Sequence, residues 1–277
     1  MLPPFLKRNP LVQGLAARIF SITGHKYPSR CYTPYKFREL KRVLSHPFDP
    51  RHLPQRYGRW LDERIIEYPW LLSRLPAGPG RLLDAGSVLN FDFLVQNPRL
   101  REKDLTIMTL APEADCFWRY GVSYVYGDLR NTGFRDDYFD FIACISTLEH
   151  VGLDNTLLYT ADTSKKENDP AAYLSGVREL RRILKPGGSA YITVPFGRRD
   201  VRKWLQVFDA AMLENLIAAF QPQAASVNYF RYRTQDGWHL SFREAAGDAR
   251  YFDPRTDKPW EGCPVGAEAV ACLELKK

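Results

Sequence analysis

Long apolar runs are missing from this chain of 277 residues. The opening stretch MLPPFLKRNPLVQGLAARIF is broken by Pro10 and Arg18, so it makes neither the apolar segment of a signal peptide nor a membrane span. Cysteine is sparse and scattered: Cys31, Cys116, Cys144, Cys263 and Cys272 are five, an odd number, without a C-x-x-C pair. That argues against a disulfide framework and a zinc knuckle and fits a cytoplasmic protein, at most peripheral to a membrane. No segment repeats at a fixed period or is low in complexity, and no G-x-G-x-x-G stretch offers a dinucleotide pyrophosphate site. Acidic residues are nearly absent from the first 60 positions, where Glu39 and Asp49 face 12 Lys and Arg, a net +10. The remainder is net −3, so the formal +7 belongs to the N-terminal fifth. Such a segment suits phosphate, an anionic membrane surface or an acidic partner.

What is present is enough apolar material, 45% of residues against 26% charged, for one buried domain with an appendage. In residues 1–59, Pro28, Pro34, Pro47, Pro50 and Pro54 interrupt any long helix. One short helix is predicted near Leu11–Ile22, with Leu11, Leu15, Ile19 and Ile22 on one face that either packs on the main domain or meets a membrane or partner. From Trp60 on, short apolar runs between turn residues predict strands at Arg81–Ala85, Leu105–Leu110, Val122–Tyr126, Phe139–Cys144 and Ala190–Val194. A helix capped by Asp169, with Pro170 at its first position, carries Tyr173, Val177, Leu180 and Leu184 and stops at Lys185-Pro186-Gly187-Gly188. A second helix is expected over Asp209–Phe220, and late strands near Ser226–Tyr232 and Glu268–Leu275. The order predicts a doubly wound α/β domain over 60–277, mostly parallel with an antiparallel last strand, binding ligands at the strands' carboxyl ends. An insertion, residues 234–262, carries Trp238, His239, Phe242, Tyr251, Phe252 and Trp260, which either cover a substrate or pack on one another.

Three segments bring chemistry to that edge. Asp84-Ala85-Gly86-Ser87 ends the first strand in a glycine turn that lets backbone N–H groups approach a ligand. Asp128 follows the third strand and can accept a hydrogen bond from an exocyclic amine, or cap the next turn. After the fourth strand, Ser146-Thr147-Leu148-Glu149-His150 offers His150 as a general base or a structural histidine, with Glu149 and Asp154 to orient it. The same three side chains have no fixed metal-ligand spacing, so no metal is predicted.

The succession LLDAG, GDLRNTGFRDDYFDFIACISTLEHVG and ELRRILKPGGSAYITVPFG resembles class I S-adenosylmethionine-dependent methyltransferases, especially those associated with surface-polysaccharide and glycan synthesis. The likeness spans about residues 60–277 and is most specific from Tyr138 to Gly197. It implies a Rossmann-like methyltransferase sheet with S-adenosyl-L-methionine as cofactor. Asp84, Gly86 and Ser87 would line its methionine part, Asp128 and Leu129 would read adenine, and Ile145 and Ser146 would flank the sulfonium. His150 would act on an acceptor hydroxyl with Glu149 as its partner. Two positions depart from the family pattern. Val88 replaces the second glycine and narrows the gap there, and Thr109 replaces the ribose-binding acid, leaving Glu113 as its substitute. The expected activity is O-methylation of a sugar or glycan intermediate. The alternatives are an inactive methyltransferase-like module of a glycan-assembly complex, its basic arm holding a partner or membrane, and an RNA methyltransferase, for which a basic arm without an RNA-binding motif is weak support.

Overall fold

The computed structural model describes residues 10–23, 31–157, 159–260, 263–264 and 266–277. Residues 1–9 and 24–30 of the basic arm, Pro28 among them, and residues 261 and 262 of the 234–262 insertion lie outside the described residues. Helices α1 (Pro10–Thr23), α2 (Tyr32–Leu44) and α3 (Arg64–Arg74) lead into β1 (Arg81–Ala85). Short helices α4 (Asp92–Val95) and α5 (Pro98–Arg101) precede β2 (Asp104–Thr109), β3 (Ser123–Tyr126) and β4 (Phe139–Ile145). Then come α6 (Tyr173–Ile183), β5 (Leu184–Pro195), the small hairpin β6 (Asp200–Val201) and β7 (Gln206–Val207), and α7 (Ala210–Phe220). The chain ends with β8 (Ala224–Arg233), β9 (Gly237–Ser241), α8 (Arg243–Ala246) and β10 (Ala269–Lys276).

Eight strands form one sheet in the order β3-β2-β1-β4-β5-β10-β8-β9. Neighbours from β3 to β5 are parallel, whereas β10 is antiparallel to both β5 and β8. This is the Rossmann-like methyltransferase sheet expected from the sequence. Strands β1, β4 and β5 are buried almost throughout because helices cover both faces, as their continuous apolar runs require. One core gathers Leu40, Ile66, Trp70 and Leu71 under α2 and α3; the other gathers Val177, Leu180, Leu216 and Phe220 under α6 and α7. Each such side chain contributes about 1.5–3 kcal/mol of burial. Strand order reverses between β1 and β4, which opens a crevice at their carboxyl ends.

Five local expectations are corrected. The face of α1 offered for packing on the main domain is exposed; the buried residues are Ala17 and Phe20, and Phe20 packs on the rings of Tyr32 and Tyr35. Pro34 does not break a helix but sits in the first turn of α2, where a missing N–H leaves no bond unmade. Asp169 caps a turn ahead of α6, accepting from the Ala171 N–H at 3.0 Å, and the helix starts at Tyr173. Lys185–Gly188 lie within β5, whose Gly187 N–H bonds the Lys277 carbonyl at 2.7 Å. The fifth concerns residues 234–262, which begin with a tight turn and β9, pairing Arg233 with Gly237, and bury Trp238 and Phe252 in the core.

Candidate active site

The crevice holds two adjoining chambers. The first encloses about 570 Å3, partly open to solvent. Its walls come from the ends of β1 and β2 (Gly86, Thr109, Leu110), the turn after β3 (Asp128, Leu129, Arg130), the segment after β4 (Thr147, His150, Asn155, Tyr159) and the Lys165–Glu167 turn. The second, about 680 Å3, is walled by Lys36, Phe37 and Leu40 of α2, Arg64 and Tyr68 of α3, the Gly86–Val88 turn, Phe91, Glu113 and Ser146. Gly86, His150 and Tyr159 belong to both and form the junction.

The turn after β1 owes its shape to Asp84. This carboxyl is fully buried, accepts from the Leu89 N–H at 2.8 Å and the Val88 N–H at 3.3 Å, and lines neither chamber. Burial lifts its pKa to about 7 against those two bonds. Gly86 and Ser87 have φ of 128° and 64°, and a Cβ on Gly86 would stand 2.1 Å from Thr147 Oγ1. Gly86→Ala is therefore expected to lower stability by about 1–3 kcal/mol in urea unfolding, since it adds strain and displaces Thr147. Val88 does not narrow the first chamber as expected: its side chain packs beside the core on the wall of the second, and its carbonyl accepts from Tyr68 Oη at 2.9 Å.

In the first chamber Asp128 meets Arg130, which donates to it at 2.6 Å from Nη2 and at 2.8 Å from the backbone. Burial acts to raise the Asp128 pKa, but the Arg130 hydrogen bonds outweigh it and hold the carboxyl below its ordinary range. Arg130 also binds Glu167 at 2.6 and 2.7 Å, which ties the Lys165–Glu167 turn over the chamber. Thr109 lines this chamber, whereas Glu113, the residue expected to stand in for the ribose acid, lines the second.

At the junction, His150 Nδ1 lies 2.7 Å from the Trp204 carbonyl, and the two rings stack with centroids 5.3 Å apart. A carbonyl only accepts, so Nδ1 carries the proton and Nε2 is a bare acceptor. Burial is the main cause of a His150 pKa near 4, reinforced by Arg64 and Arg255, so the ring is neutral at ordinary pH. Glu149 makes no hydrogen bond to it: Glu149 Oε1 is 4.0 Å from Nε2, the side chain lines neither chamber, and burial raises its carboxyl well above the ordinary value. Ile145 is likewise fully buried beneath the chambers. Asp154 is occupied with Thr156, its Oδ1 accepting at 2.5 Å, and no group of metal-binding side chains occurs among the described residues.

Two residues escaped the sequence reading. Glu67, fully buried in α3, accepts from Ser146 Oγ at 2.7 Å and Thr193 Oγ1 at 2.6 Å and is ion-paired with Arg64. It thereby fixes Ser146, whose φ is 41°, on the chamber wall. Trp204 orients His150, and its own indole N–H donates to Asp253 Oδ2 at 3.0 Å. The only signal for either was an acidic residue inside an apolar helix pattern and a Trp in a loop. The aromatic rings of the 234–262 insertion line neither chamber.

Residues 102–192 match the family described as "Methyltransferase domain". The match covers about a third of the chain. It supports an enzyme that transfers a methyl group from S-adenosyl-L-methionine. Among solved structures, a SAM-dependent methyltransferase of Thermotoga maritima is similar over 76% of this chain and 88% of its own, at 14% identity and a TM-score of 0.47. A Burkholderia thailandensis 1,6-didemethyltoxoflavin-N1-methyltransferase, with 1,6-didemethyltoxoflavin and S-adenosylhomocysteine bound, is similar over 91% of this chain and 93% of its own, at 16% identity and a TM-score of 0.45. No curated protein matches the sequence.

The chambers fit the donor with one departure. Ser87 Oγ is buried without a partner, an unused polar group beside the junction, and the first chamber's wall is mostly apolar with Asp128 at its edge. The departure is Thr109, a single hydroxyl where a carboxylate would hold two ribose hydroxyls.

Proposed function

We propose that the methyltransferase acts on a hydroxyl of a small acceptor held in the second chamber, with a sugar or glycan intermediate as the acceptor class. The observation that carries this reading is His150 at the junction of both chambers, neutral, with Nε2 bare. Phe37, Tyr68 and Phe91 supply flat apolar surface, and Lys36 and Glu113 supply polar groups, a combination suited to a ring with an apolar face and hydroxyl edges.

S-adenosyl-L-methionine supplies a methyl group already activated on a sulfonium. Asp128 and Leu129 would bind its adenine, and Ser87 and Ser146 its methionine part. Arg64, which donates to Glu67 through Nη1 and lines the second chamber, would hold its carboxylate. His150 Nε2 then takes the acceptor's hydroxyl proton. A base of pKa near 4 is sufficient because a hydroxyl oxygen that is gaining a third bond becomes strongly acidic. The chamber walls align the acceptor and exclude water.

The test is calorimetry with S-adenosylhomocysteine. Wild type is expected to bind, and Asp128→Ala to bind about tenfold or more weakly, the worth of one hydrogen bond to a charged group. Arg130 keeps Glu167 in that variant, so the fold is retained. Absence of binding at millimolar ligand in a folded protein would instead support the inactive module, the reading that Thr109 favours.

A further inference from the structure

Helix α1 is amphipathic the wrong way round. A helix that packs on a globular domain turns its larger aliphatic residues inward. Here the inward side is Ala17 and Phe20, while Leu11, Leu15, Ile19 and Ile22 are 83%, 62%, 44% and 82% exposed. These four, at spacings of four, four and three, fall along one side of the 14-residue helix, a stripe about 17 Å long. Arg18 is exposed on the same side. Such a stripe is costly in water and marks a contact surface.

Charge decides among possible occupants. The stripe belongs to the segment that is net +10 over residues 1–60, and Arg38, Lys41 and Arg42 of the adjoining α2 are exposed. A second copy would bring the same positive segment against this one, at an electrostatic cost. An anionic lipid surface satisfies both features, because acyl chains take up the apolar stripe while headgroups meet the basic residues, and Arg18 can reach outward to a phosphate. The helix lies on such a surface without crossing it: no helix among the described residues is long and apolar enough to span a membrane.

We infer that the outward face of α1 docks the protein on an anionic membrane surface, whichever acceptor the second chamber takes. The placement has a functional consequence. Phe20 anchors α1 to Tyr32 and Tyr35 of α2, and α2 supplies Lys36, Phe37 and Leu40 to the second chamber. The docking face is thus one helix layer from the chamber, and an acceptor at the bilayer surface lies near its wall.

The experiment is co-sedimentation of the full chain with vesicles, one set of phosphatidylcholine alone and one of equal parts phosphatidylcholine and phosphatidylglycerol. The protein is expected to sediment with the anionic set, to remain in solution with the neutral set, and to dissociate as salt is raised. The double variant Leu15→Glu/Ile22→Glu is expected to bind about tenfold more weakly or worse. Its unfolding midpoint and S-adenosylhomocysteine affinity should stay unchanged, which separates a lost docking face from a lost fold or cofactor site. Unchanged binding by the double variant, or no binding of wild type to anionic vesicles, overturns the inference. So does a wild-type dimer in solution that the variant converts to a monomer, which would assign the stripe to a second copy.

Discussion

Glu67→Ala is expected to lower the stability of the protein by about 3–5 kcal/mol, the cost of removing one partner from a buried ion pair. In a chain of this size that is a fall in unfolding temperature of roughly 6–20 °C. The carboxylate is fully buried and its two oxygens serve Arg64, Ser146 and Thr193, residues of α3, the end of β4 and β5. Removing it leaves the Arg64 guanidinium without its main counter-charge and strips two buried hydroxyls of their acceptor. Ser146 then lacks the bond that holds its left-handed backbone on the chamber wall, so S-adenosylhomocysteine affinity should fall along with stability. Glu67→Gln keeps an acceptor oxygen for the hydroxyls and should be intermediate in both. Thermal unfolding with and without S-adenosylhomocysteine checks this, and a shift below about 2 °C for Glu67→Ala would show that the pair does not organise the site.

Glu67 also shows where reading the chain one segment at a time stops. The strands from β1 to β5 were legible because each is a short apolar run between turn residues, and their order alone implies the crevice at the β1 and β4 ends. The place of Thr109, Asp128 and His150 at the crevice was legible from the same order, since Thr109 ends β2 and the other two lie shortly after β3 and β4. The role of Glu67 depends on partners 79 and 126 residues away, and no local pattern announces them. Trp204 reaches His150 across 54 residues from a two-stranded hairpin too short to leave a periodic signal. Asp84 was ambiguous because an acidic residue at a strand end can bind a ligand or close its own turn. Its bonds to the Leu89 and Val88 amides serve the turn. The fault in the N-terminal arm was different: Pro34 reads as a helix breaker only when the helix start is unknown. Placed in the first turn of α2, it permits a helix whose Lys36, Phe37 and Leu40 complete the second chamber.

His150→Gln is expected to reduce kcat by about 100- to 10,000-fold, the range for a lost general base, while S-adenosylhomocysteine affinity changes little. The amide can still fill much of the space beside Trp204 but cannot take up a proton. The pH dependence tests the assignment more sharply than the loss itself. An exposed histidine would give an acid limb in kcat/KM near pH 6.5. Burial of His150 moves that limb to about 4, so the wild-type profile should be flat from pH 5.5 to neutrality. Stability follows from the same shift. Because the folded pKa lies below the unfolded value, the unfolded chain binds more protons between pH 6.5 and about 4, and stability falls as the pH drops through that window. The loss amounts to roughly 3 kcal/mol at its limit, and it should be absent from His150→Gln in urea unfolding compared at pH 7 and 4.5. A rate limb near 6.5 in wild type would place the ring in water and remove it as the buried, neutral base. A flat profile with unaltered kcat in the variant would leave His150 as a wall residue of the junction and pass the proton directly to solvent.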